Sequence, residues 1–315
     1  MTIDTVAVLG LGTMGHGIAQ CFALAGLQVR CFDEYEPMRA SLRERVRGNL
    51  VQMARAGVLH EEVIEPALAK LILCTSKAET VGAAQFVTEA VAEDLAIKQE
   101  LFAQLEEHAD PACILASNSS SFPMTQTAAR MRRPERAVVT HWFNPPHIAP
   151  VVEVVPGEKT ALGCMDDTCA LLARIGKQPV RLTREIPGFL VNRVQIAMFR
   201  EVWDLLERGI ASAAEIDRAI RGSMGFRLAA LGPLAIQDFA GLDITGKVYE
   251  VLIQDLRSDR ELPEVIRNLL ETGRLGTKTG KGFFDYTPEE LERQRDERDR
   301  LYLAIVKLLE SRSAD

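Results

Sequence analysis

The start of the chain decides the fold, where the sequence reads Thr5-Val6-Ala7-Val8-Leu9-Gly10-Leu11-Gly12-Thr13-Met14-Gly15. The apolar run from Thr5 to Leu9 predicts a short buried strand, and the residues from Gly15 to Ala25 have the apolar pattern of a helix. A glycine-rich turn between a strand and a helix is typical of the first unit of a doubly wound α/β sheet. We therefore place a βα unit at the N-terminus and build the rest of the fold outward from it.

The spacing of the glycines, G-x-G-x-x-G, predicts a dinucleotide-binding loop over residues 10–15. The first glycine allows the tight turn, the second lets the backbone approach the pyrophosphate, and the third lets the helix pack on the sheet. Asp33 ends the next predicted strand, where a carboxylate accepts hydrogen bonds from the adenosine ribose and repels a 2′-phosphate. Because Glu34 follows and no arginine comes closely behind, we expect NAD rather than NADP as the cofactor.

Short apolar runs continue to alternate with helical patterns as far as Pro187-Gly188. This alternation predicts a Rossmann-type α/β domain with a mostly parallel, doubly wound sheet. After Pro187-Gly188 the pattern is nearly all helical, so we predict two domains, residues 1–186 and an all-α domain at residues 187–315. Besides residues 5–9 we predict strands at residues 28–32, 71–74, 85–88, 113–116, 137–140, 151–155 and 179–182. Between the strands, further helices are expected at residues 37–56 and 61–70.

Two segments of the second predicted domain carry distinct patterns. The helix expected from Phe189 to Leu206 is apolar around most of its circumference, which places it either in a core or at an interface between subunits. The residues from Pro288 to Arg312 carry dense charges of both signs, and we interpret them as a solvated helix face.

Composition excludes several classes of function. The chain of 315 residues has a formal net charge of −7 and shows no basic patch, so we expect no nucleic-acid partner. No apolar run approaches the roughly 18 residues of a membrane span, and the first predicted strand leaves no room for a leader; we expect a cytoplasmic protein without a membrane partner. The six cysteines form no CxxC pair, so we expect free buried thiols and no metal site.

His141 is the histidine whose position points to chemistry. It follows the run Val138-Val139-Thr140, at the carboxyl end of a predicted strand, where open α/β sheets bind their ligands. Glu153 interrupts the otherwise apolar strand at residues 151–155, and a carboxylate buried there needs a partner. A carboxylate on one imidazole nitrogen fixes the tautomer and raises the basicity of the other, which makes a general base. A purely structural pair remains the alternative.

Together these segments resemble the 3-hydroxyacyl-CoA dehydrogenase family over nearly the whole chain. The matching motifs are the glycine loop, Ser117-Asn118-Ser119-Ser120, His141-Trp142-Phe143-Asn144-Pro145-Pro146, Pro187-Gly188-Phe189-Leu190-Val191-Asn192-Arg193 and Gly276-Thr277-Lys278-Thr279-Gly280-Lys281-Gly282-Phe283. The resemblance implies that His141 is the base, Glu153 its partner, Ser120 the ligand of the substrate oxygen and Asn192 the residue that completes the site. It also implies NAD contacts at Ala90, Glu93, Lys98, Asn144 and Lys278, and a homodimer formed through the helical domain.

The substrate that the resemblance implies is an L-3-hydroxyacyl-CoA of the 3-hydroxybutyryl type, as in fatty acid metabolism. In many acyl-CoA members, the helix after the second strand carries serine and lysine residues that reach the CoA phosphates. This chain departs from that pattern. The corresponding residues, 49–56, have Arg55 as their only charge. The motifs are also similar to relatives that use free acids, such as L-gulonate, carnitine or pyridine-carboxylate dehydrogenases. Arg227 is either a partner for such a carboxylate or a surface arginine.

One rival interpretation is set aside. The 6-phosphogluconate and 3-hydroxyisobutyrate dehydrogenases share the glycine loop but use a lysine on the interdomain helix, and residues 187–211 contain no lysine. A non-catalytic NAD-binding structural or sensor protein is the alternative from another class. Such a protein has no need to keep His141, Glu153, Ser120 and Asn192 together.

Overall fold

A computed structural model describes residues 2–313 of the chain, with side chains for residues 2–309. Its single large sheet has eight strands in the order β3-β2-β1-β4-β5-β6-β7-β8, and only the β6–β7 pairing is antiparallel. The predicted α/β class with a mostly parallel sheet is confirmed. The strands are β1 Thr5–Leu9, β2 Gln28–Phe32, β3 Leu71–Leu73, β4 Phe86–Glu89, β5 Ile114–Ser117, β6 Ala137–Trp142, β7 Val151–Pro156 and β8 Gln178–Arg181.

Helices connect and cover the strands. Those of the first part are α1 Gly15–Leu24, α2 Glu36–Ala40, α3 Leu42–Arg55, α4 Ile64–Ala69, α5 Lys77–Val81, α6 Leu95–His108, α7 Met124–Thr127 and α8 Leu162–Arg174. They are followed by α9 Val191–Glu207, α10 Ala213–Ile220, α11 Phe226–Ala230, α12 Pro233–Ala240, α13 Leu242–Leu252, α14 Glu264–Glu271 and α15 Pro288–Ser313. A single helix over residues 37–56 was a wrong prediction. The segment forms α2 and α3, which meet at Ser41, whose hydroxyl donates to the Pro37 carbonyl (2.7 Å).

The core lies on both faces of the sheet because successive side chains of a strand point to opposite sides. Val6 and Val8 of β1 pack in the larger apolar cluster with α1, α3, α4 and α8. Ala7 and Leu9 pack in a second cluster with α5, α6 and α7. The parallel strands therefore end together at one edge, and the loops that follow β1, β4, β5 and β6 come close to one another there.

The chain divides into two compact units, Met1–Asn192 with Asp299–Asp315, and Arg193–Arg298. The predicted boundary at residues 186 and 187 stays a prediction; the units divide slightly later, and the C-terminal residues belong to the first unit. The interpretation of residues 288–312 as only a solvated face is wrong at Leu303, which is 1% exposed. Leu303 packs against Met53 and Ile148, and Lys307 Nζ donates to the Ala56 carbonyl (2.8 Å).

The second unit is helical and carries many exposed apolar side chains. None of the residues of α9 is buried, so the core alternative for this helix is wrong. Among the described residues, no helix is long and apolar enough to cross a membrane. The six cysteines are free, and five of them are buried, as expected from the sequence.

Candidate active site

The glycine loop between β1 and α1 is shaped by close backbone contacts. Gly10 has a positive φ of 85°, and a Cβ at this position would lie 2.6 Å from the Ala90 carbonyl oxygen. A Cβ on Gly15 would lie 1.7 Å from the Gly10 carbonyl oxygen. At Gly12, in contrast, an added Cβ would meet no described atom within 4 Å. The loop is thus pressed against the end of β4 on one side and open at Gly12, which leaves the space that the close approach of a pyrophosphate would need.

Asp33, at the end of β2, holds the same loop. Its Oδ2 accepts from the Leu11 N–H (2.6 Å) and its Oδ1 from the Tyr35 N–H (2.8 Å). Gly10, Gly12, Asp33 and Ala90 line a cavity of about 690 Å³ whose other walls are largely apolar, which fits the adenosine half of a dinucleotide. The Arg39 guanidinium donates to the main-chain carbonyl of Asp33, because α2 turns its side chain back towards β2.

Glu93 anchors the serine loop that follows β5. Its Oε1 accepts from the hydroxyls of Ser119 (2.7 Å) and Ser121 (2.8 Å) and from the backbone N–H of Ser120 (3.0 Å). Burial raises the pKa of Glu93, but the hydrogen bonds from Ser119 and Ser121 and the charge of Lys98 outweigh it, so the pKa lies below its usual value. This carboxylate is therefore ionised at neutral pH and fixes the backbone that carries Ser120.

Lys98 lies deeper, between two carboxylates. Its Nζ is 2.9 and 3.0 Å from the two oxygens of Glu89 and 3.3 Å from Oε2 of Glu93. Lys98 is 1% exposed and Glu89 is fully buried. Glu89 also accepts from the hydroxyl of Ser117 and from the Val91 N–H (3.1 Å). Sequence reasoning missed Glu89, although an acid that ends the apolar run Phe86-Val87-Thr88 gives the same signal that drew attention to Glu153.

His141 and Glu153 meet as the sequence predicts. They are directly opposite in the antiparallel pairing of β6 and β7, and His141 Nδ1 lies 2.6 Å from Glu153 Oε2. His141 is 4% exposed and Glu153 is fully buried. The rings of Phe143 and Phe189 flank the imidazole at 4.7 and 5.5 Å between centroids. Since the carboxylate accepts the Nδ1 proton, Nε2 is the nitrogen that is left to act on a substrate.

Glu153 has a second contact that the sequence does not reveal. Its Oε1 accepts from the backbone N–H groups of Leu190 (3.0 Å) and Val191 (2.9 Å), at the start of α9. Unpaired N–H groups at a helix start stabilise a negative charge. The buried carboxylate is thus balanced from both sides, by the imidazole and by the helix start.

Asn192 extends this arrangement to the serine loop. Its Nδ2 donates to the Ser120 carbonyl (3.0 Å), so Asn192 and Ser120 lie together, as the resemblance implies. A continuous set of contacts leads from Lys98 through Glu93, Ser120 and Asn192 to the start of α9, and from there through Glu153 to His141. The fold thereby joins most of the predicted site residues of the first unit.

The remaining predicted residues have weaker structural support. Thr13 and Met14 complete the loop that leads into α1, and Asn144 is exposed just beyond β6, at the cis peptide bond before Pro145. Lys278 belongs to the second unit, in the turn where Gly276 and Lys281 form a β-bridge. Its contact with NAD stays a prediction. Among the described residues, no group of three or more histidine, cysteine or acidic side chains is placed to hold a metal ion.

Comparisons with known proteins agree with this geometry. The family model described as the 3-hydroxyacyl-CoA dehydrogenase NAD binding domain matches residues 5–186, and the model of the C-terminal domain matches residues 188–286. The chain belongs to the 3-hydroxyacyl-CoA dehydrogenase family. It is an NAD-dependent dehydrogenase that acts on hydroxyl groups.

The similarities differ in how much of this dehydrogenase they cover. A 5-formyl-3-hydroxy-2-methylpyridine 4-carboxylate 5-dehydrogenase of Mesorhizobium japonicum is 34% identical over 98% of this chain and 99% of its own length. A crystal structure of an enzyme of that name, described as an NAD+-dependent dismutase, has a TM-score of 0.92 at 33% identity, with 98% and 99% coverage. The (S)-3-hydroxybutyryl-CoA dehydrogenase of Ralstonia eutropha has a TM-score of 0.75 at 33% identity, covering 91% of this chain and 100% of its own.

Proposed function

We propose that this dehydrogenase oxidises a hydroxyl group that lies beside a carboxyl-derived group, with His141 as the general base. The observation that carries the proposal is the His141–Glu153 pair, near the end of β6, in which the carboxylate engages Nδ1 of a buried imidazole and not Nε2. NAD held by the glycine loop and Asp33 would supply the acceptor for the hydride of the substrate carbon. Nε2 takes the hydroxyl proton in the same direction of reaction and returns it in the reverse direction.

Glu153 balances the charge that develops in this step. The imidazole becomes cationic when it takes the proton, and the carboxylate at 2.6 Å stabilises that cation in a buried setting. The same carboxylate also accepts from the two N–H groups at the start of α9, which fix its position beside the imidazole. Ser120 then binds the substrate oxygen through its hydroxyl, and Asn192 holds the Ser120 backbone in place.

For the substrate we favour a free carboxylate, with an acyl-CoA as the second candidate. CoA carries several negatively charged phosphates. In acyl-CoA relatives the helix that corresponds to residues 49–56 binds these phosphates, but here Arg55 is the only charged residue of this stretch. Met53 of this stretch is covered by Leu303, within a C-terminal segment that lies beyond the part matched by the family models. The full-length similarity to a pyridine-carboxylate dehydrogenase supports the same choice. The family's own name supports the acyl-CoA alternative.

The substrate experiment compares 3-hydroxybutyryl-CoA with 3-hydroxybutyrate, which has the same reacting hydroxyl but no CoA. NADH formation is measured with both compounds, and also with gulonate, carnitine and hydroxymethyl or formyl pyridine carboxylates as further free acids. We expect kcat/KM for at least one free acid to exceed that for 3-hydroxybutyryl-CoA at least tenfold. The opposite ranking would establish the acyl-CoA alternative, and no turnover of any hydroxyl compound would contradict the proposal as a whole.

Arg227 remains our candidate partner for the substrate carboxylate. It is an exposed residue of α11 in the second unit. We expect Arg227→Gln to raise KM for a free acid while leaving the Kd of NADH unchanged. An unchanged KM would make Arg227 a surface arginine.

We also propose that the protein is a homodimer formed through its helical unit. The support is the set of exposed apolar side chains on α9 and its neighbours, such as Val194 and Ile196, since large exposed apolar patches mark interfaces. Light scattering coupled to size-exclusion chromatography tests this directly. A mass near that of a single 34.8 kDa chain at micromolar concentration would contradict it.

A further inference from the structure

Arg45 occupies an unfavourable place on its helix. It lies in the first turns of α3, close to the helix start, where the partial positive charge of the helix disfavours a cation. Its guanidinium is nevertheless held there by three acceptors. Nη1 donates to the Leu11 carbonyl (2.8 Å), Nη2 to the Met38 carbonyl (2.8 Å) and Nε to the Ser41 hydroxyl (3.2 Å). An arginine that is fully engaged at the unfavourable end of a helix indicates a specific task at the group it contacts.

The group it contacts is the peptide unit at the centre of the glycine loop. The carbonyl of Leu11 accepts from Arg45, while the N–H of Leu11 donates to Asp33 Oδ2 (2.6 Å). One residue of the loop is therefore clamped from both sides by side chains of opposite charge. Close backbone contacts shape the loop at Gly10 and Gly15, but Gly12 is open, and glycine has the greatest backbone freedom of any residue. The Asp33–Arg45 clamp constrains Leu11, the residue that precedes Gly12.

Arg45 also brings a positive charge into contact with this loop. The neighbouring candidate is His16, whose ring nitrogen Nδ1 lies 2.7 Å from the Gly12 carbonyl. Burial lowers the pKa of His16, the hydrogen bond to Gly12 opposes this, and the charge of Arg45 lowers it further, so the ring is neutral at neutral pH. Burial also lowers the pKa of Arg45, which the charge of Asp33 counters, but an arginine stays charged in this range.

We propose that Arg45 is a positioning residue for the cofactor: it fixes the backbone of the glycine loop through Leu11 and sets the affinity for the pyrophosphate. The pyrophosphate is bound by N–H groups of the loop and of the α1 start, and their directions follow from the loop conformation. Removing the Arg45 clamp leaves the loop with several conformations, of which only one presents those N–H groups together. Cofactor affinity then falls, whereas the chemistry at His141 is untouched once the cofactor is bound.

Arg43 provides a matched control on the same helix. It also donates to a backbone carbonyl, that of Leu71 at the start of β3 (2.7 Å), but it makes no contact with the glycine loop. Arg43→Met and Arg45→Met therefore remove the same side chain and the same kind of hydrogen bond from neighbouring positions of α3. Arg45→Lys keeps the charge and removes the forked geometry.

The experiment measures the Kd of NADH and of ADP-ribose for the purified variants, by cofactor fluorescence and by calorimetry. Loss of a charge-assisted hydrogen bond predicts that Arg45→Met raises both Kd values about tenfold to a hundredfold. We expect Arg45→Lys to lie between Arg45→Met and the unaltered protein, and Arg43→Met to stay within about twofold. At saturating NAD, kcat of Arg45→Met stays within about threefold, and hydrogen exchange of the Leu11 amide in the free protein becomes faster.

Three results would overturn the proposal. Kd values for Arg45→Met within twofold of the unaltered protein would remove any role in cofactor affinity. Equal weakening by Arg43→Met would show a general effect of α3. An equal loss of kcat at saturating NAD would show that Arg45 supports the catalytic centre instead of the loop.

Discussion

Two largely buried polar centres lie on either side of β5, and they differ in what they leave unpaired. The Glu89–Lys98–Glu93 centre, between β4 and α6, engages the lysine with three carboxylate oxygens and ties the outer carboxylate to the serine loop. In the His141–Glu153 centre, on β6 and β7, the carboxylate engages Nδ1 of the imidazole and not Nε2. We interpret the first centre, whose lysine is fully engaged, as fixing geometry, and we propose that the second transfers a proton through Nε2. The predictions below test this division of roles.

The largest effect is expected at the imidazole. His141→Ala removes the general base, and we expect kcat to fall about 10²- to 10⁴-fold while the Kd of NADH changes less than about twofold. His60→Ala, an exposed histidine of the same unit, is the control and leaves kcat unaltered. Stopped-flow turnover and NADH fluorescence titration provide the two measurements. Parallel losses of turnover and NADH binding would make His141 a structural residue.

At the Glu89–Lys98–Glu93 centre we expect substitutions to change mainly the free energy of unfolding. Lys98→Met leaves two carboxylates without their cation, and breaking a buried pair in this way costs about 3–5 kcal/mol. The double variant with Glu89→Gln and Lys98→Met removes the charge of both partners and is expected to recover a substantial part of that loss. Urea unfolding of both variants gives the comparison. A double variant less stable than Lys98→Met alone would contradict the assigned pairing.

Glu153→Gln tests whether the second centre depends on charge. Glutamine keeps the shape and can still accept from the N–H groups of Leu190 and Val191, so the start of α9 is preserved. Without the carboxylate the cationic imidazole is less favoured, and we expect kcat to fall about tenfold to a hundredfold. The acid limb of the rate profile should move to lower pH. Glu185→Gln, which removes a carboxylate bound to the Thr125 N–H, should leave the profile in place.

A smaller effect, without a change in pH dependence, is expected at Glu93. The pKa of Glu93 is lowered in the folded protein. The stabilisation of the serine loop by the ionised carboxylate is therefore fully present above the pKa of an ordinary glutamate, and it is lost only as pH falls through the lowered value. Glu93→Gln should therefore reduce kcat/KM about tenfold, and this factor should be the same at every pH between 5 and 8. Glu106→Gln is the control, since Glu106 holds another loop through the N–H groups of Arg132 and Arg133 (2.7 Å each). A pH-dependent loss would place Glu93 in proton transfer.

The sequence was sufficient for much of this picture because its signals are local. Apolar runs and glycine spacing predicted the eight strands to within one or two residues, and the isolated acid in β7 predicted the partner of His141. The break at Ser41 was missed because it occupies a single residue, which ends α2 and precedes α3 without a glycine or proline to mark it.

The contacts that join the site come from distant parts of the chain. Glu153 reaches Leu190 and Val191 because Phe189, with a φ of 52°, turns the backbone just before α9. A left-handed phenylalanine is rare, and no residue pattern announces it. The family resemblance predicts that Lys98 contacts the cofactor. Its contacts with Glu89 and Glu93 could not be predicted, because they depend on how α6 packs on the sheet.

The proposed proton transfer at His141 requires the tautomer in which Glu153 accepts from the Nδ1–H group and Nε2 carries no proton. Nitrogen NMR of the histidine-labelled protein at pH 8 distinguishes the tautomers, because the two ring nitrogens give separate signals for each of them. We expect His141 to carry its proton on Nδ1, with Nε2 unprotonated. A proton on Nε2 at that pH would show that this nitrogen is not available as the base.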